Sequence, residues 1–404
     1  MNPVQTPSPD HPVPLRRDAT VMGVVGLAHA SSHFGHLLLA SMFPIFNAEL
    51  GLSYSQLGFL VTVFFVISGV GQALAGFVVD KVGARPVLFV ALGLFMVASL
   101  VAAFSQGYNG LLLAAALAGL ANASFHPVDF TILNQQVSTP RLGYAFSVHG
   151  ITGNLGWALS PVWMVGIASV SDWRTAYMGA AGLYLAVLLT VFWHREKLLT
   201  QAVKVTKVDG DNGLGFLKLA VVWWCFGYFL LSTMTLAVVQ SFATPILQKL
   251  HGISLHTATL TLTAYMVAGA VGMLAGGVVA ARITQSNRVV AVCMACAALL
   301  FALCATGWLG AIGTCIGLAV TGFAIGIGGP SRDMMIKKAT PKGATGRVYG
   351  TVYSGLDVGF ALSPLLFGWL MDHGHYQATL YGAAAVLMLS VGAALGVGYR
   401  TKQG

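Results

Sequence analysis

Three imidazoles crowd the stretch HASSHFGH near the start of the chain: His29, His33 and His36. Offsets of four and seven residues, at 100° per residue, gather them into an arc of about 60° on one helix face. A second stretch, NASFHPVD, repeats that spacing with Asn122, His126 and Asp129. Imidazole titrates near pH 6.5 when unperturbed, and burial or a neighbouring acid moves that value in either direction. Two such stripes turned toward each other suit a proton carrier. The plainer role is a set of interhelical hydrogen bonds, worth about 0.6 to 2 kcal/mol each in a membrane. Imidazoles at i and i+4 can also share a cation, but no thiolate joins them, and the sequence calls for no resident metal and no cofactor.

Further polar residues extend the set. His149 and Asn154 share one segment; Tyr353 and Asp357 lie four apart in another; Arg332 and Asp333 follow the run Gly328, Gly329, Pro330. Neighbouring helix positions diverge by about 100°, so Arg332 and Asp333 are not expected to face one partner. Arg332 is the candidate anion anchor or gate, its partner expected at Asp129 or Asp357. Asp357 is the candidate proton carrier or contact for a cationic group. All these groups are expected to converge on one wet cleft.

The elements that hold them are membrane spans. The 404 residues are 56% hydrophobic and 8% charged, against about 25% charged in soluble domains. Apolar runs long enough for a hydrocarbon core of about 30 Å recur near 20–47, 54–79, 86–105, 109–134, 141–168 and 174–194, and again near 216–247, 256–281, 288–308, 310–336, 346–371 and 376–399. The fold class is an all-α membrane protein with twelve spans. With the N-terminus inside, eighteen of the twenty-one Lys and Arg fall in cytoplasmic segments, Arg174 and Lys249 fall outside, and Arg332 stands within a span. Both termini are therefore placed in the cytoplasm. The net charge of +9 is then a topology signal, not a nucleic-acid footprint. RRDATVMGVVGLAHA imitates a cleavable signal, but Pro44 near the end of span one has a counterpart, Pro245, in span seven. Cys293 and Cys296, a C-x-x-C at lipid depth, read as packing residues.

The polar stretch 195–215 divides the chain into a tail (1–19), a first bundle (20–194), this linker, and a second bundle (216–404). GYAFSVHGITGNLGWALSP from 143 and GRVYGTVYSGLDVGFALSP from 346 end alike, Gly156 and Gly359 standing 203 apart, as do Pro127 and Pro330. Internal repeats of this kind build two-lobed transporters. Away from their ends, spans three, six, nine and twelve lack Asp, Arg, His, Asn and Gln. They are expected at the periphery, leaving the others to form a polar centre.

The loop GFVVDKVGARP between spans two and three resembles the signature loop of the major facilitator superfamily. Gly76, Asp80, Lys81, Gly83 and Arg85 match, and Ala84 replaces a common basic residue. The resemblance implies two pseudo-symmetric six-helix bundles rocking about a central site, with spans one, four, seven and ten lining the cavity. It makes this loop a conformational latch: Asp80 at a helix end would pair with Lys81 or Arg85, or meet the positive end of span eleven. The second half keeps Gly276 but has Ala280 and Ala281 in place of the charged pair. The segments around His29, His126 and His149 are similar to the fosmidomycin-resistance branch of bacterial efflux proteins. Phe125, His126 and Pro127 match that branch, while Val128 and Thr131 replace its acid and Arg. The span-four Arg of proton antiporters is missing.

The expected function is secondary transport of a small organic solute across the bacterial inner membrane by a monomer, with protons and lipid as its other partners. Proton-driven efflux is placed ahead of uptake of a small anion and of metal or metal-chelate transport. Nothing in the chain sets up enzyme chemistry.

Overall fold

The computed structural model describes residues 14–200, 215–283, 285–339 and 345–400. The start of the tail, linker residues 201–214, Lys342 and the side chains of Asp80 and Arg347 lie outside the described residues. The first half comprises α1 (Leu15–Ser41), α2 (Phe43–Leu50), α3 (Tyr54–Val82), α4 (Ala84–Ala103), α5 (Tyr108–Asn122), α6 (Phe125–Gln136), α7 (Leu142–Val170) and α8 (Trp173–Trp193). The second comprises α9 (Ala220–His251), α10 (Leu255–Arg282), α11 (Ser286–Ala305), α12 (Gly310–Ala339), α13 (Thr345–Asp372) and α14 (Tyr376–Arg400).

Two of the expected spans are broken. Pro127 has no N–H and its ring would collide with the carbonyl four residues back, so span four divides at Ala123–Ser124 into α5 and α6. Pro44 likewise opens α2 after a break at Met42. Its counterpart Pro245 lies inside an unbroken α9. The repeat is otherwise visible at the ends of these segments. Gly51 and Gly252 close α2 and α9 with φ of 63° in both, and Ser53 and Ser254 cap the helices that follow by accepting a backbone N–H. Helix α1 starts at Leu15, five residues inside the expected tail.

Among the described residues, ten helical segments are long and apolar enough to cross a membrane. The expected spans one and five, α1 and α7, are not among those ten. At 27 and 29 residues they have the length, but they carry His29, His33, His36 and His149, and they pack on each other. Within the first half α4 lies on α5 and α8; within the second, α9 lies on α13 and α14, α10 on α12, and α11 on α14. The halves meet along α3–α13 and α7–α10, with α1 and α2 touching α9.

Missing side chains bring the helices close. A Cβ on Gly156 of α7 would lie 2.1 Å from the Ala30 carbonyl oxygen of α1, and one on Gly359 of α13 would lie 2.6 Å from that of Leu230 in α9. The matched glycines of the repeat therefore make the same contact in each half. Between α10 and α12, Gly326 abuts the Gly269 carbonyl and Gly276 abuts that of Ile327, which accounts for Gly276 by packing. At the end bearing the termini, the buried Asp18 accepts from Arg141 Nη1 at 2.8 Å and from Ser138 Oγ. This ties the start of α1 to the α6–α7 connection.

Gly156→Ala is expected to lower the thermal unfolding midpoint in detergent, at an overpacking cost of about 1–3 kcal/mol. Gly166→Ala on the same helix, where a Cβ meets nothing within 4 Å, is expected to leave it unchanged.

Candidate functional site

The stripes read from α1 and from α5–α6 face each other. Asp129 is fully buried, and its Oδ2 lies 3.0 Å from His29 Nδ1 and 3.2 Å from His149 Nε2. An ionised Asp129 accepts an N–H from each ring. The two imidazoles stack with centroids 3.5 Å apart. The other oxygen, Asp129 Oδ1, is buried with no hydrogen-bond partner among the described residues. His33 stacks on Trp157 at 4.2 Å and lies 4.4 Å from the His29 ring, and its Nδ1 is likewise buried and unpartnered. His126 reaches α3 instead, its Nδ1 3.0 Å from Gln72 Oε1.

One turn along, a polar network is closed on itself. Trp157 Nε1 donates to His36 Nδ1 at 3.2 Å, which leaves the His36 proton on Nε2. That N–H points at Asn122 Oδ1, 2.9 Å away. Ser32 Oγ donates to the same oxygen at 2.7 Å, and Asn122 Nδ2 donates to Ser68 Oγ at 2.9 Å. Both nitrogens of His36 are thus committed in its neutral form. Gly153 makes room for the core, since a Cβ there would fall 2.8 Å from His33 Nδ1 and 3.0 Å from His29 Nε2.

The remaining candidates do not join this cluster. Contrary to the single cleft expected from the sequence, the imidazoles and Asp129 are gathered inside the first half, and no hydrogen bond or ion pair among the described residues links them to Arg332, Asp333 or Asp357. Arg332 does not pair with Asp129 or Asp357: its Nε donates to Asp333 Oδ1 at 2.9 Å. Side-chain reach overrides the 100° divergence of adjacent positions. Its guanidinium lies 5.3 Å over the Phe229 ring, which in turn packs on Tyr353 at 4.8 Å. Arg332 is 26% and Asp333 51% exposed. Asn154 bonds mainly within α7, to the Gly150 carbonyl, and touches Met273 of α10.

Asp357 occupies the seam between the halves. A Cβ on Gly69 of α3 would lie 3.0 Å from the Asp357 Cβ and 3.5 Å from its Oδ2. Toward the end remote from the termini the seam is sealed in steps: Phe65 stacks on Phe360 at 4.3 Å, Thr62 Oγ1 donates to the Ala361 carbonyl at 2.6 Å, and Gly58 abuts the Pro364 carbonyl. At its far tip the Asp372 carboxylate accepts the N–H groups of Tyr54 and Ser55, at 2.6 and 2.9 Å. It caps α3 from the opposite half.

Of the latch residues, Gly83 ends α3 with φ of 85°, a conformation suited to glycine. Ala84 N–H donates to Thr200 Oγ1, and Arg85 Nη1 donates to the Arg195 carbonyl at 3.3 Å, so Arg85 is engaged within its own half. Lys81 is exposed, and a Cβ placed on Gly76 would meet nothing within 4 Å. The side chain of Asp80 lies outside the described residues. Trp157 and Gln72 were not among the sequence candidates. For Trp157 the signal was its match to Phe360 at the repeat offset in NLGWALSP and DVGFALSP; for Gln72 it was a polar side chain inside an apolar run.

Two bundles of helices meeting along paired seams, with His29, Asp129, His149, Arg332 and Asp357 on α1, α6, α7, α12 and α13, have the architecture of a two-lobed membrane transporter. The chain belongs to the Major Facilitator Superfamily, whose sequence profile matches residues 25–313 and 224–403. It is 25% identical over 271 residues to the fosmidomycin resistance protein of Escherichia coli, covering 65% of each chain, and so spans about two thirds of that relative. It is 23% identical over 402 residues to a probable sulfoacetate transporter, SauU, of Cupriavidus necator, covering 91% of this chain and 90% of the other. The crystal structure of the nucleoside transporter NupG superimposes with a TM-score of 0.74 at 15% identity, over 94% of this chain and 99% of that one.

Asn122→Leu, which strands His36, Ser32 and Ser68 together, is expected to lower the unfolding midpoint more than Asn154→Leu. Buried groups left unpaired cost about 1–3 kcal/mol each, and differential scanning fluorimetry of the two variants checks the order.

Proposed function

We propose that this transporter moves a small organic solute across the bacterial inner membrane by alternating access, coupled to protons at Asp357. The observation that carries this reading is the position of that carboxyl at membrane depth, against the backbone of Gly69 where the two halves meet. A charged group there is costly to enclose, by roughly 2.5 to 3.5 kcal/mol on insertion scales. Neutral Asp357 permits the α3–α13 seam to close, whereas an ionised one favours its opening to water. Protonation and rocking are thereby linked, as a ligand that prefers one of two states must be. One charge crossing 100 mV is worth about 2.3 kcal/mol, enough for a concentration ratio of roughly fiftyfold.

Export by antiport is the favoured direction, supported by the likeness to a resistance protein. The distribution of Lys and Arg supports cytoplasmic termini, which puts the Asp372 seal on the outer side. Uptake of a small organic anion is the second reading. It draws on Arg332, whose contact with Asp333 among the described residues is made by Nε, so that the forked end of the guanidinium can face a carboxylate or sulfonate. The likeness to a probable sulfoacetate transporter supports it.

In proteoliposomes carrying a pH-sensitive dye, a panel of candidate solutes added under a proton gradient is expected to reveal one that discharges the gradient. Asp357→Asn is expected to abolish that proton movement while solute exchange persists. Proton movement unchanged in Asp357→Asn would overturn the assignment. Arg332→Lys is expected to raise KM at least tenfold for an anionic solute and to leave a neutral one unaffected.

A further inference from the structure

The histidine core takes no part in the proton step assigned to Asp357, and its geometry asks for another ligand. We propose that His29, Asp129 and His149 form a binding site for one divalent first-row transition ion of the zinc type, clamping α1, α6 and α7 together.

The donors are already grouped as such an ion requires. One ligand atom from each residue lies within 4.8 Å of the other two, and all three residues are buried. Bonds of about 2.0–2.1 Å in a tetrahedral site place neighbouring donors about 3.3–3.4 Å apart. The His29 Nδ1–Asp129 and His149 Nε2–Asp129 separations of 3.0 and 3.2 Å need to widen by only a few tenths of an ångström. Two imidazoles and a carboxylate, with no thiolate, suit zinc, cobalt or nickel and leave a fourth position open.

Two buried orphans support this assignment independently of the ligand spacing. Asp129 Oδ1 has no hydrogen-bond partner among the described residues, although it sits in the interior of a helix bundle. A carboxylate that turned its second oxygen to the same ion would satisfy it and fill that fourth position. His33 Nδ1 is the second orphan. When His29 ligates through Nδ1, its proton moves to Nε2, and that nitrogen shares with His33 Nδ1 the space that Gly153 leaves empty. No net proton is released in this tautomer exchange, and the buried acceptor beside it can take up the N–H that orients the ligand. His29, His33 and His126 meet the same distance limit as a second group, so the ion would be flanked by further imidazoles. The sequence offers the span-one imidazoles as a pair able to share a cation, but not this set, because His149 comes from a helix distant in the chain.

The test uses the full-length protein in detergent, treated with chelator, desalted and titrated with zinc chloride and, separately, with cobalt chloride. One equivalent of zinc is expected to raise the unfolding midpoint. Cobalt is expected to give the intense visible absorption of a four-coordinate site. Binding should be lost in Asp129→Asn, weakened at least tenfold in His149→Gln, and unchanged in His375→Ala, which removes an exposed imidazole. The proposal is overturned if neither ion binds, or if binding persists unchanged in both core variants, which would place the metal on surface histidines. Should Asp129→Asn fail to fold, the wild-type cobalt complex still decides. Paramagnetically shifted imidazole N–H resonances from two histidines support the site, and the weak spectrum of six-coordinate cobalt overturns it. None of these outcomes depends on proton transport by Asp357.

Discussion

Hydrocarbon offers no hydrogen bonds, so every polar group carried to bilayer depth must be satisfied by another part of the chain or line a watery space. That constraint organises the first half around Asp129. A fully buried carboxylate is held by two imidazoles, and those imidazoles lie on α1 and α7, the expected spans that are missing from the ten segments apolar enough to qualify alone. Their polarity is tolerable because they face each other. The close approach is possible because Gly153 and Gly156 have no side chains to interpose. Removing one element of this arrangement leaves the others exposed to a medium that cannot replace it.

The same constraint separates two kinds of polar site. The network of Trp157, His36, Asn122, Ser32 and Ser68 is closed, with donors and acceptors matched inside one half, and the histidine core lies in that same half with Asp129 Oδ1 and His33 Nδ1 unpaired among the described residues. Asp357, Arg332 and Asp333 are different. They stand at the seam or partly exposed in the second half, where the proposed rocking would change what they touch. Closed networks fix a bundle's shape, while groups at a moving boundary translate a change of ligand or proton into motion. The seam itself has graded contacts, from the Phe65–Phe360 stack to the Asp372 cap at the tip.

Much of this was legible in the residues. The apolar runs, the repeat offset of 203 and the two stripes of matching spacing led to the helices and to the facing of His29 on Asp129. Other features depend on partners far away in sequence. The break in span four follows from Pro127, yet the equivalent Pro330 leaves α12 continuous, so local chemistry alone did not decide it. Asp18 looked like part of a solvated tail, but tertiary contact with Arg141 and Ser138 buries it. Arg332 satisfied its charge with the adjacent Asp333 because long side chains bend where helix geometry alone would separate them. Trp157 was hidden by its type, since an indole in an apolar run announces packing before it announces a donor.

The central claim is that neutralising Asp357 favours closure of the α3–α13 seam. Spin labels on Gln106→Cys and His375→Cys, exposed positions on opposite halves, in a background without the native cysteines, report that closure by pulsed electron resonance. The account predicts that the short-distance population grows as pH falls, and that Asp357→Asn holds it at the low-pH value throughout. A distance distribution that ignores both pH and this substitution would contradict it.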